Sequence, residues 1–285
     1  MPISETATRV GVAAVAIPIA VAAAFAGGWI LGVFVAVFAG LGALELFRMA
    51  ARKDVQPLRG PGAAAAAGFV LAATATTYEG AEPLAWLLLV VLVLTAVTAA
   101  IRARGVAGNP LLVVSVTVFG AVYTGGLLSH GVLLRHLPGV QSAWHGTALV
   151  FAPLLLTWAS DTSAYFVGRK WGRRKLIPRV SPGKTVEGSI GALVGTIIVA
   201  SLYTLVLQQW STYQLGLATA MFFGLVISVA AQVGDLAESL LKRDAGVKDS
   251  GTLFPGHGGV LDRVDSLLFT LPIAYLFFRF VVGPA

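Results

Sequence analysis

The sequence predicts an all-α, polytopic membrane bundle of about nine transmembrane helices, with the amino terminus in the cytoplasm and the carboxyl terminus outside. Hydrophobic residues make up 57% of the 285 positions and charged residues only 12%, about half of what is usual in a soluble globular domain. Long apolar runs recur along the chain, and no charged stretch is long enough to form a separate water-soluble core. We therefore expect a single integral membrane domain over 1–285.

The predicted spans follow from the apolar runs in chain order. Residues 10–44 carry no charge and are too long for one crossing of a ~30 Å hydrocarbon core, so they predict two helices that turn at Gly27 and Gly28. Most of the later apolar runs have the length of one crossing. The further predicted spans are 62–77, 84–101, 111–129, 147–167, 188–208, 214–234 and 264–282.

The distribution of basic residues supports this number of spans. With nine crossings and the amino terminus inside, all of the 20 Lys and Arg residues except Arg135 and Arg279 fall in cytoplasmic segments. Omitting one span would reverse every later loop and mix the two sides, which the positive-inside rule disfavours. The same rule explains the net charge of +7 through contacts with anionic lipid headgroups, and we expect no nucleic-acid partner.

Two predicted cytoplasmic segments, 160–187 and 235–265, contain more than half of the 13 acidic residues. Carboxylates at the ends of membrane helices need a reason to be there, because a bare charge near hydrocarbon is costly. Asp262 and Asp265 begin the last span, where helix capping explains one carboxylate well and two poorly. For Asp161, at the end of an apolar span, a functional role is favoured.

The mixture of acids and bases in these segments indicates a metal–polyphosphate site. If the helix of 214–234 continues into the cytoplasm, Asp235, Ser239 and Lys242 share one face. The Gly- and Pro-rich stretch after it can bring backbone N–H groups close to a phosphate. Mg²⁺ usually takes one or two carboxylates plus substrate phosphates, and Lys and Arg neutralise the remaining phosphate charge. The absence of Cys, and of any Cys/His cluster, argues against zinc.

The upstream segment contains Gly183, Lys184 and Thr185, which resemble the end of a nucleotide-binding P-loop. The first Gly of that motif would fall where the sequence has Pro178, and no strand is expected before it. We interpret 181–188 as a phosphate- or headgroup-binding turn that enters the next membrane helix. A helix cap combined with positive-inside charge is the alternative.

Both motif segments carry a family resemblance. The downstream one reads Ser239-x-Leu241-Lys242-Arg243, Lys248-Asp249-x-Gly251 and Phe254-Pro255-x-His257-Gly258-Gly259-Val260-x-Asp262-Arg263-Val264-Asp265. The upstream one reads Asp161-x-x-Ala164-Tyr165-x-x-Gly168-Arg169 and Ser181-Pro182-x-Lys184-Thr185-x-Glu187-Gly188. This pattern resembles the signature of the phosphatidate cytidylyltransferases, also called CDP-diacylglycerol synthases.

The resemblance implies a nucleotidyltransferase of phospholipid biosynthesis in a bacterial inner membrane, with its active site on the cytoplasmic side. CTP and phosphatidic acid would give CDP-diacylglycerol and pyrophosphate with Mg²⁺, and the number of metal ions is left open. It also implies an all-helical membrane fold and a homodimer. Residues 1–150 would then be mainly scaffold, and 151–285 would supply the catalytic helices and motif loops.

The resemblance also assigns residues to the site. The metal ligands would be Asp235, Asp262 and Asp265. The catalytic set comprises Asp235, Lys242, Arg243, Lys248, Asp249, His257, Asp262, Arg263 and Asp265. The substrate-binding set comprises Asp161, Tyr165, Ser181, Lys184, Thr185, Glu187, Ser239, Gly258 and Gly259.

Three other function classes fit the sequence less well. A related enzyme that uses CTP on another lipid acceptor conflicts with the intact motif of 239–265. A transporter should carry ionisable residues near the bilayer midplane, often within inverted repeats, and neither feature is visible. A CDP-alcohol phosphotransferase would need a different Asp-rich helix motif, which the sequence lacks.

Overall fold

The structure, a computed structural model, describes residues 5–76, 78–103, 105–210, 213, 215–254 and 258–283. Helices dominate these ranges, which confirms the predicted all-helical character of the fold. The helices are α1 (Glu5–Ala26), α2 (Gly28–Ala51), α3 (Arg59–Ala75), α4 (Tyr78–Ala103), α5 (Pro110–Ala121), α6 (Leu127–Arg135), α7 (Ala143–Trp171), α8 (Val186–Trp210), α9 (Leu217–Asp244), α10 (Leu261–Val264) and α11 (Leu267–Leu276). Helical turns of the π type join α5 to α6 (Val122–Gly126) and extend α11 (Phe277–Val282).

One antiparallel hairpin interrupts the helical pattern. Strand β1 (Lys175–Ile177) pairs with β2 (Ser181–Thr185), and α8 begins directly after β2. The sequence predicted a turn at 181–188 that enters a membrane helix, with no strand before it. The second part of this prediction is wrong, because β1 precedes the turn and β2 occupies its first five residues. A pair of strands this short is marginally stable alone, so its contacts with the neighbouring helices matter for its conformation.

Six helical stretches among the described residues are long and apolar enough to cross a membrane. They are Gly28–Ala51, Ala81–Arg102, Pro110–Arg135, Val186–Leu205, Leu217–Asp244 and Leu261–Val282. These correspond to six of the nine predicted spans. The predicted turn at Gly27 and Gly28 is confirmed, since α1 ends there and both glycines have positive φ angles of 63° and 47°.

The other three predicted spans are helical as well, but they do not meet the same length and hydropathy criteria. The 17 residues of α3 rise only ~25 Å, less than a typical hydrocarbon core. The 29 residues of α7 are long enough, but this helix includes Asp161 and two basic residues in its last turn. In α1 the described apolar part is the short stretch Ala14–Ala26. The number of nine spans and the orientation of the termini stay predictions.

The chain divides into two compact units, and the first comprises Met1–Leu133 with Asp244–Val264. Within it, α2 packs against α3 and α5, and α10 packs against α2. Small residues allow these helices to approach closely, as expected for membrane helices. The fully buried ring of Phe47 on α2, for example, fills the space left by Gly62 on α3 and Gly120 on α5.

The second unit comprises Leu134–Arg243 with Asp265–Ala285. Within it, α7 packs along α8 and also contacts α11. Buried hydroxyl pairs join the helices near the motif residues: Ser160 and Ser228 link α7 to α9 with oxygens 3.2 Å apart. The hydroxyl of Thr157 donates a hydrogen bond of 3.3 Å to Thr270 on α11. This division by packing does not test the prediction of a single membrane domain.

Candidate active site

The loop between α9 and α10, residues 245–260, is called here the signature loop. In the first unit its conformation depends on Asp262, the second residue of α10. One carboxylate oxygen of Asp262, Oδ2, accepts hydrogen bonds from the backbone N–H groups of Ser250 and Gly259, each at 2.8 Å. The hydroxyl of Ser250 also lies 2.9 Å from this oxygen. Asp262 therefore joins the beginning and the end of the described loop.

A second carboxylate, Glu45 on α2, reaches the same loop from a distant part of the sequence. Its Oε1 accepts a hydrogen bond of 2.9 Å from the N–H of Val260, and its Oε2 accepts one of 2.9 Å from the N–H of Leu261. The hydroxyl of Ser250 lies 2.8 Å from Oε2. Because this hydroxyl has one hydrogen, Glu45 and Asp262 share a single donor at Ser250.

Glycines in the signature loop make room for these two carboxylates. A Cβ atom at Gly259 would come closer than 3.0 Å to both carboxylate oxygens of Glu45 and to the hydroxyl of Ser250. At Gly258, φ is +79°, and a Cβ there would meet the carboxylate of Asp262. The glycines of the sequence motif thus allow backbone to lie directly against charged oxygens.

The second unit contains a different arrangement, in which carboxylates lie near one another. Asp161 on α7 and Asp265, just before α11, both interact electrostatically with Asp235 on α9. Asp235 and Asp265 have partly exposed side chains, whereas Asp161 is exposed. Like charges this close raise the energy of the folded protein unless cations compensate them. This trio, called here the acidic cluster, is therefore suited to attract a cation.

Lysine side chains supply part of that compensation. Lys184, at the end of β2, forms an ion pair with Oδ2 of Asp235. The hydroxyl of Ser239, one helical turn beyond Asp235, donates a hydrogen bond of 3.4 Å to Oδ1. Lys242 forms an ion pair with Glu238, whose side chain is fully buried. The hairpin and α9 thus bring basic groups to the acidic cluster.

The hairpin itself is attached to α8 by Glu187. Oε2 of Glu187 accepts hydrogen bonds from the backbone N–H groups of Arg173 and Arg174 at 3.0 and 3.1 Å. Its Oε1 accepts one of 3.0 Å from Nε of Arg174. The hydroxyl of Thr185 accepts a hydrogen bond of 3.1 Å from the N–H of Gly188. In this structure Glu187 and Thr185 therefore have clear roles in shaping the hairpin, and their contact with substrate stays a prediction.

The predicted site residues are distributed over both units. Those in the second unit are Asp161, Tyr165, Ser181, Lys184, Thr185, Glu187, Asp235, Ser239, Lys242, Arg243 and Asp265. Those in the first unit are Lys248, Asp249, Gly258, Gly259, Asp262 and Arg263. His257 lies outside the described residues. Three of these first-unit residues, Lys248, Asp249 and Arg263, have exposed side chains.

The predicted metal ligands are Asp235 and Asp265 of the acidic cluster, together with Asp262 of the first unit. The part of the chain that the structure describes contains no group of three or more Asp, Glu, His or Cys side chains arranged to hold a metal ion by themselves. A Mg²⁺ ion held mainly by substrate phosphates needs only one or two protein carboxylates. The carboxylates of the acidic cluster fit that requirement in their chemistry, and the metal site stays a prediction.

The sequence as a whole matches a known family. The model of the cytidylyltransferase family matches residues 7–281. The chain belongs to the cytidylyltransferase family. A phosphatidate cytidylyltransferase of Synechocystis sp. is 33% identical to it over 293 aligned positions, which cover 94% of this chain and 95% of the relative.

Other relatives are more similar to this chain over a shorter stretch. A phosphatidate cytidylyltransferase of Bacillus subtilis is 42% identical over 155 residues, or 54% of each chain. An uncharacterised protein of Escherichia coli, YnbB, is 42% identical over 176 residues, or 61% of this chain and 57% of the relative. The chain therefore spans little more than half the length of these two relatives.

The sequence analysis assigned no role to two glutamates that are buried in the structure. Glu45 follows a long uncharged run and is 3% exposed, and Glu238 lies inside the motif segment of α9 and is fully buried. A lone carboxylate at the end of an apolar span was the available signal for Glu45, since such a charge is costly without partners. For Glu238, the spacing of four residues to Lys242 was the signal.

Proposed function

We propose that this protein is a phosphatidate cytidylyltransferase, which makes CDP-diacylglycerol and pyrophosphate from CTP and phosphatidic acid. The observation that carries the proposal is the similarity to the Synechocystis enzyme over 94% of this chain. The acidic cluster with its lysines, and the glycine-rich signature loop, supply the chemistry that two phosphate-bearing substrates require.

The proposed reaction is a direct, in-line displacement at phosphorus. A phosphate oxygen of the lipid forms a bond to the α-phosphorus of CTP, and the bond from that phosphorus to the bridging oxygen of pyrophosphate breaks. A phosphate monoester is already largely ionised near neutral pH, because its second pKa is about 6. No strong general base is therefore required, and inversion at phosphorus is expected.

The residues of the chain have distinct proposed roles in this step. Asp235 and Asp265 would hold Mg²⁺ together with substrate phosphates, and the ion would neutralise phosphate charge. Lys184 and Lys242 would stabilise the charge that develops on the leaving pyrophosphate. The glycine-rich backbone of the signature loop would lie against a phosphate. The division of the other basic residues between CTP and lipid is open.

Membrane placement follows from the same proposal. We propose nine spans in the bacterial inner membrane, with the amino terminus and both motif segments on the cytoplasmic side, where CTP is available. The distribution of Lys and Arg supports this orientation. We further propose that the enzyme acts as a homodimer.

The proposal is tested by lipid-product mass spectrometry on the purified, detergent-solubilised protein. Wild type supplied with CTP, phosphatidic acid and Mg²⁺ should form CDP-diacylglycerol, and Asp235→Asn should lower the rate at least a hundredfold, about 2.7 kcal/mol of transition-state stabilisation. Asp54→Asn is the matched control, because Asp54 is exposed and Asn also tolerates its positive φ of 58°. Formation of a CTP-dependent product on another lipid acceptor only, or full activity of Asp235→Asn, would contradict the proposal.

A further inference from the structure

Glu45 belongs to neither motif segment, although the signature loop is folded directly onto it. Its side chain is 3% exposed, so its carboxylate has little access to solvent. Burying a carboxylate is costly unless hydrogen bonds or an opposite charge compensate it. Among the ion pairs of the described residues, none includes Glu45. The three donors of the loop region, at Ser250, Val260 and Leu261, therefore provide the compensation.

These donors come from both ends of the signature loop. Ser250 lies near its beginning, whereas Val260 ends it and Leu261 opens α10. One carboxylate thus closes the loop, and it does so on the same hydroxyl that Asp262 uses. Displacement of Glu45 would consequently disturb the position of Asp262 as well as the backbone between them.

Further contacts show that one face of α2 is shaped to carry this loop. Phe38, Gly42 and Glu45 recur at i, i+4 and i+7, so they lie on the same side of the helix. The ring of Phe38 packs against that of Phe254 with centroids 6.4 Å apart. A Cβ atom at Gly42 would be in van der Waals contact with Leu261, at 3.7 Å.

The glycines of the loop give independent support. A Cβ atom at Gly251 or at Gly259 would approach the carboxylate of Glu45 more closely than 3.0 Å, a distance that real Cβ atoms essentially never show. Only glycine at these two positions leaves room for the carboxylate of Glu45. The two glycines and the glutamate form one packing unit, although they are about 200 residues apart in sequence.

We propose that Glu45 is a positioning residue for the reaction, which fixes the signature loop and, through Ser250, the carboxylate of Asp262. The link to catalysis rests on the proposed function, whereas the link to the loop conformation does not. A preorganised loop holds residues of the predicted catalytic set, such as Lys248, in the geometry that the reaction needs, and a small displacement is costly there.

The test replaces the carboxylate with an amide of the same shape, Glu45→Gln. The amide nitrogen would face a backbone N–H, because each carboxylate oxygen of Glu45 accepts one. Glu82→Gln is the matched control, since the same chemical change is made at an exposed glutamate of the same unit. Three quantities are measured for each protein: hydrogen exchange of peptides covering 248–266, the KM for CTP with kcat, and the midpoint of thermal unfolding.

For Glu45→Gln we expect faster exchange confined to those peptides, together with a KM for CTP at least threefold higher and kcat/KM at least thirtyfold lower. The unfolding midpoint should also fall, because a buried backbone N–H loses its acceptor in this variant. Unchanged exchange and kinetics would overturn the proposal. A lower midpoint with an unchanged KM would overturn it too, because a residue that only stabilises the fold changes the amount of active protein and not the KM.

Failure of the proposed function and failure of the role of Glu45 give different results. If wild type forms no CDP-diacylglycerol, the proposed function fails, and the exchange data still decide whether Glu45 holds the loop. If Glu45→Gln does not accumulate as folded protein, Ser250→Ala replaces it, since this change removes the hydroxyl that Glu45 and Asp262 share. Ser250→Ala should show the same local exchange and the same rise in KM, and wild-type values in this variant would overturn the proposal.

Discussion

The two groups of carboxylates in this protein have opposite surroundings. In the first unit, Glu45 and Asp262 accept hydrogen bonds from backbone N–H groups and from one hydroxyl. In the second unit, Asp161, Asp235 and Asp265 interact unfavourably with one another, with Lys184 and Lys242 nearby. Charged groups that receive several hydrogen bonds stabilise local structure, whereas like charges held together are characteristic of functional sites.

Carboxylate side chains thus have two different roles in this membrane protein: some fix a loop, and others form a cluster of like charges. Glu45 and Asp262 exchange hydrogen bonds with water for hydrogen bonds with neutral donors of the protein. These hydrogen bonds offset the free energy that is lost when the carboxylates leave water. In the acidic cluster, Lys184 and Lys242 relieve part of the repulsion between the carboxylates. We therefore expect substitutions of Glu45 or Asp262 to lower stability as well as activity, and substitutions in the acidic cluster to lower activity without a loss of stability.

The largest effect is expected from Asp265→Asn. The rate of CDP-diacylglycerol formation should fall at least a hundredfold, while the midpoint of thermal unfolding stays the same or rises, because one of three like charges is removed. The amide oxygen can still accept the hydrogen bond from the N–H of Ser266, which is 2.6 Å from the aspartate oxygen. Parallel rate and unfolding measurements check this, and a large loss of stability would show that the acidic cluster is built like the signature loop.

Asp262→Ala should lower the stability of the protein, in contrast to Asp265→Asn. The backbone N–H groups of Ser250 and Gly259 lose their acceptor, whereas the Ser250 hydroxyl can still donate to Glu45. A buried donor left without an acceptor costs about 1–3 kcal/mol. The free energy of unfolding should fall by about that amount, in addition to any loss of activity. Asp249→Ala is the control in the same loop, since this aspartate is exposed. Equal stability of the two variants would remove the distinction between the regions.

Glu187→Gln should have a smaller effect, because it weakens the attachment of the hairpin and leaves Lys184 and Asp235 unchanged. The rate should fall about three- to tenfold, since hydrogen bonds to a charged acceptor are roughly twice as strong as neutral ones. Kinetics at several concentrations of CTP measure this. A hundredfold loss would instead assign Glu187 to direct contact with substrate.

The smallest effect is expected at the ion pair between Lys53 and Asp244, whose charged atoms lie 3.3 Å apart and whose side chains are largely exposed. Surface pairs contribute at most about 1 kcal/mol, and often less. Lys53→Met should leave the rate unchanged and shift the unfolding midpoint only slightly. A clear loss of activity in this variant would show that residues outside the signature loop and the acidic cluster also contribute to the reaction.

Much of the fold was accessible from sequence, because hydrocarbon imposes strict rules on length and polarity. Six predicted spans correspond to apolar helices, and the turn at Gly27 and Gly28 is where it was expected. Two of the other predicted spans depart from those rules. The long helix α7 includes Asp161 and two basic residues in its last turn, and α3 is Ala-rich and short.

For the site, the sequence by itself determined the family, the residue types and the two motif segments, since these depend on local order along the chain. Only the tertiary structure decided which carboxylates shape a loop and which repel one another. The pairing of Glu45 with residues about 200 positions away could not be predicted from spacing, because it depends on how α2 packs against α10. Hydrogen-bond donors and like charges act through distances in space, and sequence order does not specify those distances.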